Sequence, residues 1–380
     1  MTVHEPITHA EGDLESSWRR VVRRRAFLGG LGLAGAMLPA GKLLATDALA
    51  ADRITRGDVA ILRFLAAAEI IETDLWQQYN ELGGANGGNP AYVAALRNID
   101  DDMPQYISDN TDDEVSHAAF LNAYLRSKGA QPVNLDRFRT LPSSRASGAR
   151  QVGRLTSLRS LNVDTSWYTR YRSTQNPDLG ATFPQAVTIA NQPAIPLNDG
   201  ETPPGTAQAV PPATTAARRM QAIANTAAFH FAFIEAGGSS LYTTMALKCS
   251  SLEVLRIVVS IGGTEVNHFA IWHDKAGTAV SDPLAGVRDP VTGLTFPNLN
   301  DPPFGGEAFE TDLIMPEPCA FLSSSLPACS IIRPSSVQLA GAVAAVRALT
   351  RDRLFQGQSD DFMRTITALA VAADAAQRED

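Results

Sequence analysis

The chain has 380 residues and is 44% hydrophobic, which is enough to form a sizeable buried core. Its 40 acidic residues outnumber its 32 basic residues, so the formal net charge is −8. This balance argues against nucleic acid as the main partner, because phosphate binding depends on clustered lysine and arginine.

The first 50 residues have the pattern of an export signal. Arg23, Arg24 and Arg25 precede a small-residue apolar stretch over 29–38, and Ala48-Leu49-Ala50 has the form of a cleavage site. The pattern resembles a twin-arginine signal; an ordinary secretory signal or a short anchor is the alternative. We therefore expect a periplasmic or extracellular protein with no stable membrane span once residues 1–50 are removed.

Beyond this segment, apolar residues recur at helical spacing in four long stretches. They are 55–82, 111–128, 214–248 and 251–275. A short helix is predicted at 90–98, and two more at 336–351 and 359–377. An Asp-rich stretch at its start suits the N-terminus of the second long helix; it comprises Asp100–Asp102, Asp109, Asp112 and Asp113. The predicted class is all-α: a four-helix bundle over 51–277, followed by a C-terminal extension with two further helices.

Two proline-rich stretches interrupt this pattern. Residues 129–212 are predicted to be a long, partly ordered crossover inserted in the bundle and lying over its core. Residues 276–335 are predicted to be irregular. In an exported protein Cys319 and Cys329 could pair across a short loop and leave Cys249 free.

Two Glu-x-x-His motifs carry the chemistry: Glu114-Val-Ser-His117 and Glu265-Val-Asn-His268. A carboxylate and an imidazole three residues apart on a helix share one face and can bind one metal ion. Fifteen glutamates and six histidines in 380 residues give only about 0.24 such pairs by chance. A single pair is more often a surface pair, but two inside apolar helices indicate a dinuclear metal site.

The two other long helices each place a carboxylate within their apolar stripe. These are Glu72 and Glu235, and each is followed by a tyrosine seven residues later, Tyr79 and Tyr242. Buried, unpaired carboxylates are unfavourable by several kcal/mol, so such a set requires cations. Four glutamates and two neutral histidines around two divalent ions leave a net charge near zero.

This order of motifs resembles the ferritin-like di-iron carboxylate superfamily, which also has di-manganese members. The resemblance covers about 55–82, 110–128 and 214–275. It implies a dinuclear iron or manganese site and tyrosines that hydrogen-bond to the ligands. The implied ligands are Glu72, Glu114, His117, Glu235, Glu265 and His268, with Tyr79 and Tyr242 as their partners. The export signal, the crossover and the C-terminal extension are more similar to secreted, desiccation- or stress-associated members than to storage cages.

Some assignments stay open at this stage. Glu69 competes with Glu72, which we prefer for its tyrosine at +7; Glu69 is then expected beside the ligands or at the surface. His230 and His273 are expected to face another helix or solvent. Glycines 237–238 and 262–263 indicate either close helix packing or room for a small molecule near the metals.

The expected function is redox chemistry at two iron or manganese ions with dioxygen, peroxide or a small substrate, of the oxidase, ferroxidase or catalase type. The alternative is a non-enzymatic stress- or envelope-associated protein in which the bundle is structural. A homo-oligomer is compatible with either.

Overall fold

The computed structural model describes residues 54–171, 185–201, 210–299 and 341–379, with 316–317, 323, 325–327 and 329–330. Side chains at 169–171, 316–317 and 329–330 are not described. The predicted export signal, Cys319 and the side chain of Cys329 therefore lie outside the described residues. Cys249 is buried and unpaired.

The described residues contain eight α-helices, as the all-α prediction requires. They are α1 (Arg56–Gly83), α2 (Pro90–Arg97), α3 (Met103–Ser127), α4 (Ser166–Tyr171), α5 (Thr215–Ala246), α6 (Leu252–Thr278), α7 (Ala342–Arg351) and α8 (Asp360–Asp374). Short 3₁₀ turns lie at Asp136–Phe138 and Asp199–Glu201, and strands Pro316–Glu317 and Cys329–Ser330 pair antiparallel.

Four long helices form the bundle. α1 packs along α3, and α5 packs along α6. Their facing sides bury large aromatic side chains, which stack across the helices: the ring of Trp76 lies 5.4 Å from that of Trp272 and 4.7 Å from that of Phe231.

By length and apolarity alone, α6 is the one helix in the described ranges that could cross a membrane, a test that core helices also pass.

The carboxylate of Asp58 joins the starts of α1 and α6. Thr55 caps α1, and its backbone N–H donates in turn to Asp58, which completes a capping box. The same carboxylate accepts from the backbone N–H groups of Ser250 and Ser251, just before α6. One short side chain therefore sets the register between the first and last helices of the bundle.

α3 begins eight residues earlier than predicted. It starts at Met103, and Pro104 occupies the first turn, where a missing N–H is tolerated. Asp109 and Asp112 are exposed on the outer face of the helix rather than ahead of it. The periodicity was hidden because these outward-facing charges resemble a capping cluster.

The described part of the 129–212 segment contacts the bundle through Asp74. Asp74 of α1, fully buried, accepts hydrogen bonds from the backbone N–H groups of Leu155 and Thr156 at 3.0 and 2.9 Å. Arg139 Nη1 pairs with it at 2.6 Å. The crossover is therefore held by a charged anchor.

The C-terminal helices also contact the bundle. α8 packs against α1 and against α7. Asp374, at the end of α8, accepts from the backbone N–H groups of Ala342 and Val343 and so caps α7. The extension thus completes the outer layer beside α1.

Replacing Asp74 by Ala should destabilise the fold by about 3–5 kcal/mol, because it leaves buried N–H groups and the Arg139 guanidinium without their acceptor. Urea unfolding measures the change. Asp136 pairs with the same arginine at the surface, so Asp136→Ala is the matched control and should change the free energy of unfolding by less than about 1 kcal/mol. Equal effects of the two substitutions would contradict the anchor.

Candidate metal centre

The two Glu-x-x-His motifs face each other across the bundle. Glu114 and His117 on α3, and Glu265 and His268 on α6, are all buried. Their spacing of three residues places each glutamate above its histidine on the inner face of the helix. Two further buried carboxylates, Glu69 of α1 and Glu235 of α5, come from the other pair of long helices.

These six side chains form two overlapping groups. Ligand atoms of Glu69, Glu114, His117 and Glu265 lie within 4.8 Å of one another, and so do those of Glu114, Glu235, Glu265 and His268. Glu114 and Glu265 belong to both groups. This arrangement is compatible with a dinuclear metal site, because each group adds one further carboxylate and one imidazole to the two shared glutamates.

The two histidines aim the same nitrogen at this centre. His117 Nδ1 lies 3.1 Å from Glu114, 3.3 Å from Glu69 and 3.4 Å from Glu265. His268 Nδ1 lies 3.2 Å from Glu114 and 3.3 Å from Glu235. A single ring nitrogen carries at most one proton, so it cannot satisfy several carboxylates by hydrogen bonding. A cation between them can.

Unsatisfied polar atoms support the fit of a metal to these residues. One oxygen of Glu69, one of Glu235, both of Glu265 and Nδ1 of His268 are buried without a hydrogen-bond partner. Buried polar atoms rarely lack partners, and here they converge on one place. Two divalent ions would neutralise four carboxylates between neutral imidazoles, so the donor set and the charge both fit.

The pKa values show how strongly the carboxylates interact. Burial and the charge of Glu114 raise the pKa of Glu69 to about 8. Burial also acts on Glu114, but the adjacent imidazoles of His117 and His268 outweigh it and lower its pKa to about 2. For Glu265, burial and then the charge of Glu114 raise the pKa well above its usual range. Without cations, the centre therefore keeps protons.

Cross-helix donors orient the terminal carboxylates. Tyr242 of α5 donates to Glu69 of α1, whereas Trp76 of α1 donates to Glu235 of α5 at 3.1 Å. The hydrogen bond of Tyr242 to a proposed ligand is the role that the resemblance implied. Each donor lies seven residues after the glutamate of its own helix and reaches the glutamate of the other.

Asn110 and Asp113, both on α3, complete the hydrogen bonding. Asn110 donates to Glu114 at 2.8 Å and to Glu235 at 3.1 Å. Asp113 lies 3.2 Å from His268 Nε2. A carboxylate at Nε2 keeps the proton there and directs the Nδ1 lone pair to the centre.

The structure places two of the predicted site residues, Glu72 and Tyr79, differently from the sequence-based expectation. Glu69, not Glu72, contributes an oxygen to the ligand groups. Glu72 lies one turn away and is only half-buried, although burial and the charge of Glu265 raise its pKa well above the usual range. Tyr79 does not bond to a ligand; its hydroxyl lies 2.8 Å from His230 Nδ1. The spacing of seven residues was informative, but on α1 the relevant pair is Glu69 and Trp76 rather than Glu72 and Tyr79. Trp76 donates to Glu235 of the other helix, as Tyr242 does to Glu69.

Three partners were missed by sequence reasoning: Trp76, Asn110 and Asp113. Trp76 was detectable as the +7 counterpart of Tyr242. Asp113 was visible beside Glu114 but was interpreted as part of a helix-capping run. Asn110, four residues before Glu114 on the same face, carried no distinctive signal.

The glycine pairs contribute in two ways. A Cβ at Gly238 would clash with the Glu265 carboxylate, and one at Gly262 would lie 2.8 Å from Tyr242 Cβ. Nothing lies within 4 Å of such an atom at Gly237 or Gly263. One glycine of each pair therefore permits a close approach at the centre, and the other faces open space.

A cavity of about 370 Å³ reaches the His117 side of the centre from the outer face of α3 and α6. It is lined by His117, Phe120, Arg256, Ile257, Ser260, Ile261 and Thr264. The side chain of His117 is 10% exposed there. This opening is large enough for a small molecule.

Comparison with known families agrees with this geometry. The ferritin-like domain matches residues 57–278, more than half of the chain. The protein therefore belongs to the ferritin-like family. No curated protein and no solved structure matched it.

The stability of the metal-free protein should fall from about pH 5 to about pH 8. Glu69 has a pKa of about 8 when folded, against 4.5 as its ordinary value, so its contribution is present below 4.5 and is lost as the pH rises through 8. His117 and His268, whose pKa values are also raised, act in the same direction. The lowered pKa of Glu114 has the opposite effect on stability, but only between about pH 2 and pH 4.5, below this range.

Thermal unfolding at several pH values, with and without Mn(II), measures this effect. Bound metal replaces the protons, so the loaded protein should depend less on pH and metal uptake should release protons. A metal-free protein that became more stable toward pH 8 would contradict the charge arrangement.

Gly238→Ala should displace the Glu265 carboxylate and weaken metal binding by roughly tenfold or more, by analogy with changes around ligands. The adjacent Gly237→Ala is its control, because the added methyl meets open space; it should bind metal normally and be up to about 1 kcal/mol more stable. Calorimetric Mn(II) titration and thermal unfolding test both. Equal binding by the two variants would show that the contact is unimportant.

Proposed function

We propose that this protein is an exported oxidoreductase that holds two iron or manganese ions and reacts with dioxygen or peroxide. The supporting observation is the convergence of four carboxylates and two imidazoles in the bundle, with Glu114 and Glu265 shared between both groups. An oxygen-rich set with imidazole and without thiolate suits iron or manganese better than copper. When bound, such ions would supply the redox chemistry that these side chains lack.

The residues of the chain have separable tasks in this function. Glu69 and Glu235 would each help to hold one ion, and Glu114 and Glu265, which belong to both groups, would help to hold both. Asp113 keeps His268 in the ligating tautomer. Bulky rings such as Trp76 and Trp272 exclude water from the opposite side, so the cavity beside His117 is the entry for a small molecule.

The sequence pattern of residues 1–50 supports export. A twin-arginine route carries folded proteins, which suits a centre whose ligands come from four different helices and assemble only on folding. Whether the route is used can be measured directly by locating the protein after Arg23→Lys/Arg24→Lys/Arg25→Lys. Retention in the cytoplasm is the expected result, and unchanged export would overturn this part of the proposal.

Metal content gives the primary test. The chain, loaded anaerobically with Fe(II) or Mn(II) and desalted, should retain two ions. Glu69→Gln should lose at least one of them, whereas Glu72→Gln, the same change one turn along α1, should retain both. Elemental analysis measures the content, and loss of metal from Glu72→Gln alone would reject the ligand set.

Reactivity is tested separately from binding. Fe(II)-loaded protein should consume dioxygen, and Glu114→Ala/His117→Ala should lower this rate at least about a hundredfold while circular dichroism shows an intact fold. If metal instead raised the melting temperature without any reaction with dioxygen or peroxide, the centre would be structural. That result would favour the non-enzymatic function.

A further inference from the structure

A second cavity lies in the 129–212 segment. Its volume is about 630 Å³, which is within the range of small-molecule sites. Its described lining comes from residues within 141–145 and 151–153 and from Arg159. None of these residues belongs to the ligand groups or lines the cavity beside His117. This cavity is therefore separate from the candidate metal centre and from its opening.

Hydrogen bonds between the two stretches fix the walls of the cavity. The backbones of Leu141 and Arg154 exchange hydrogen bonds at 3.0 and 2.9 Å. Ser143 Oγ accepts from Arg154 Nε at 2.9 Å and donates to the Val152 carbonyl at 2.7 Å. Arg154 in turn pairs with Glu81 of α1. The walls are thus held to each other and to the bundle, and a ligand would meet a preformed site.

The cavity carries positive charge without a counter-charge. Arg145 and Arg159 line it, whereas no acidic side chain among the described residues does. Neither guanidinium has an ion-pair or hydrogen-bond partner in the part of the chain that the structure describes. Two unpaired positive charges on one concave surface attract an anion.

Other arginines of the same segment show that carboxylate partners were accessible to it. Three of them pair with acidic residues of α1 or α8: Arg137 with Asp361, Arg139 with Asp74, and Arg154 with Glu81. The chain as a whole has a net charge of −8. Arg145 and Arg159 therefore depart from the pattern of their own segment, and they do so at the same cavity.

The lining also indicates the chemistry of the ligand. A guanidinium binds carboxylate and phosphate groups through two parallel N–H donors. The two arginines come from different stretches of the wall, so each can take a different oxygen or group of one ligand. Leu141, Pro142 and Val152 add apolar surface, which suits the carbon skeleton of an organic molecule better than a bare inorganic ion.

We propose that this cavity binds a small organic molecule that carries at least two negative charges on carboxylate or phosphate groups. Its anionic oxygens pair with Arg145 and Arg159, and its carbon skeleton lies on Leu141 and Val152. The site is independent of the metal centre and goes beyond the proposed redox function.

Calorimetric titration of the full-length chain at low salt tests the proposal. The chain is used metal-free, because anions also bind to metal ions. The probes are succinate, citrate and glucose 6-phosphate, with glucose as the neutral control. At least one of the three anions should bind saturably, at one per chain, and raise the melting temperature, whereas glucose should do neither. A preference for succinate assigns carboxylates and a preference for glucose 6-phosphate assigns a phosphate. No saturable binding of any of the three would overturn the proposal.

Variants locate the site. Arg145→Gln and Arg159→Gln should each weaken binding by about ten- to a hundredfold, as expected for loss of hydrogen bonds between charged groups. Arg137→Gln removes the same charge from the same segment, and Arg256→Gln removes it from the cavity beside His117; both should bind as the unaltered chain does. Equal weakening by either control would show attraction by overall charge or binding at the other cavity, and would overturn the assignment.

Two further measurements keep the test independent of these variants. Arg145→Lys retains the charge but loses the paired donors, so its affinity should lie between those of the unaltered chain and Arg145→Gln. In the unaltered chain, ligand at ten times its dissociation constant should slow phenylglyoxal modification of Arg145 and Arg159 about tenfold, but not that of Arg137. Mass spectrometry measures the modification. Equal modification with and without ligand would contradict the proposed site.

Discussion

The interaction on which the structure depends is the mutual repulsion of the buried carboxylates of Glu69, Glu114, Glu235 and Glu265. Taken together in a low-dielectric interior, they are unstable as anions and must be protonated, hydrogen-bonded or neutralised by cations. The raised pKa of Glu69 and the lowered pKa of Glu114 show two of these responses within one centre. Cations are the remaining one, and the orphaned ligand atoms point to where they would lie.

The surrounding structure holds these charges in place through contacts between helices rather than within them. Tyr242 of α5 donates to Glu69 of α1, and Trp76 of α1 donates to Glu235 of α5. Neither of these two carboxylates can therefore move without disturbing the other helix. Farther out, Asp74 anchors the crossover and Asp58 anchors the start of α6 to the start of α1. Charged side chains therefore fix the position of the outer segments around the apolar core, and burial of the core supplies most of the driving force for folding.

The sequence predicted the fold well because helical periodicity is a local property. The four long helices, the class and both Glu-x-x-His motifs followed from spacings of three to seven residues. The choice between Glu69 and Glu72 did not, because the two lie only about 60° apart on a helix and rotation of α1 about its axis decides between them. That rotation depends on packing against α3 and α8. The roles of Asp113 and Tyr79 likewise depend on partners more than a hundred residues away.

The centre has an approximate two-fold repetition, and its departures from symmetry suggest a division of labour. Asn110, four residues before Glu114, fixes that carboxylate, whereas the equivalent residue before Glu265 is Ile261, which cannot donate. Neither oxygen of Glu265 has a hydrogen-bond partner.

The two histidines also differ in how far hydrogen bonds support them. Asp113 supports His268, but the equivalent position beside His117 is Thr264, which lines the cavity. One half of the centre is therefore held by hydrogen bonds, and the other combines a less constrained bridging carboxylate with the opening to the surface. Glu265 belongs to that second half, and its carboxylate packs so closely against Gly238 that a Cβ there would clash with it.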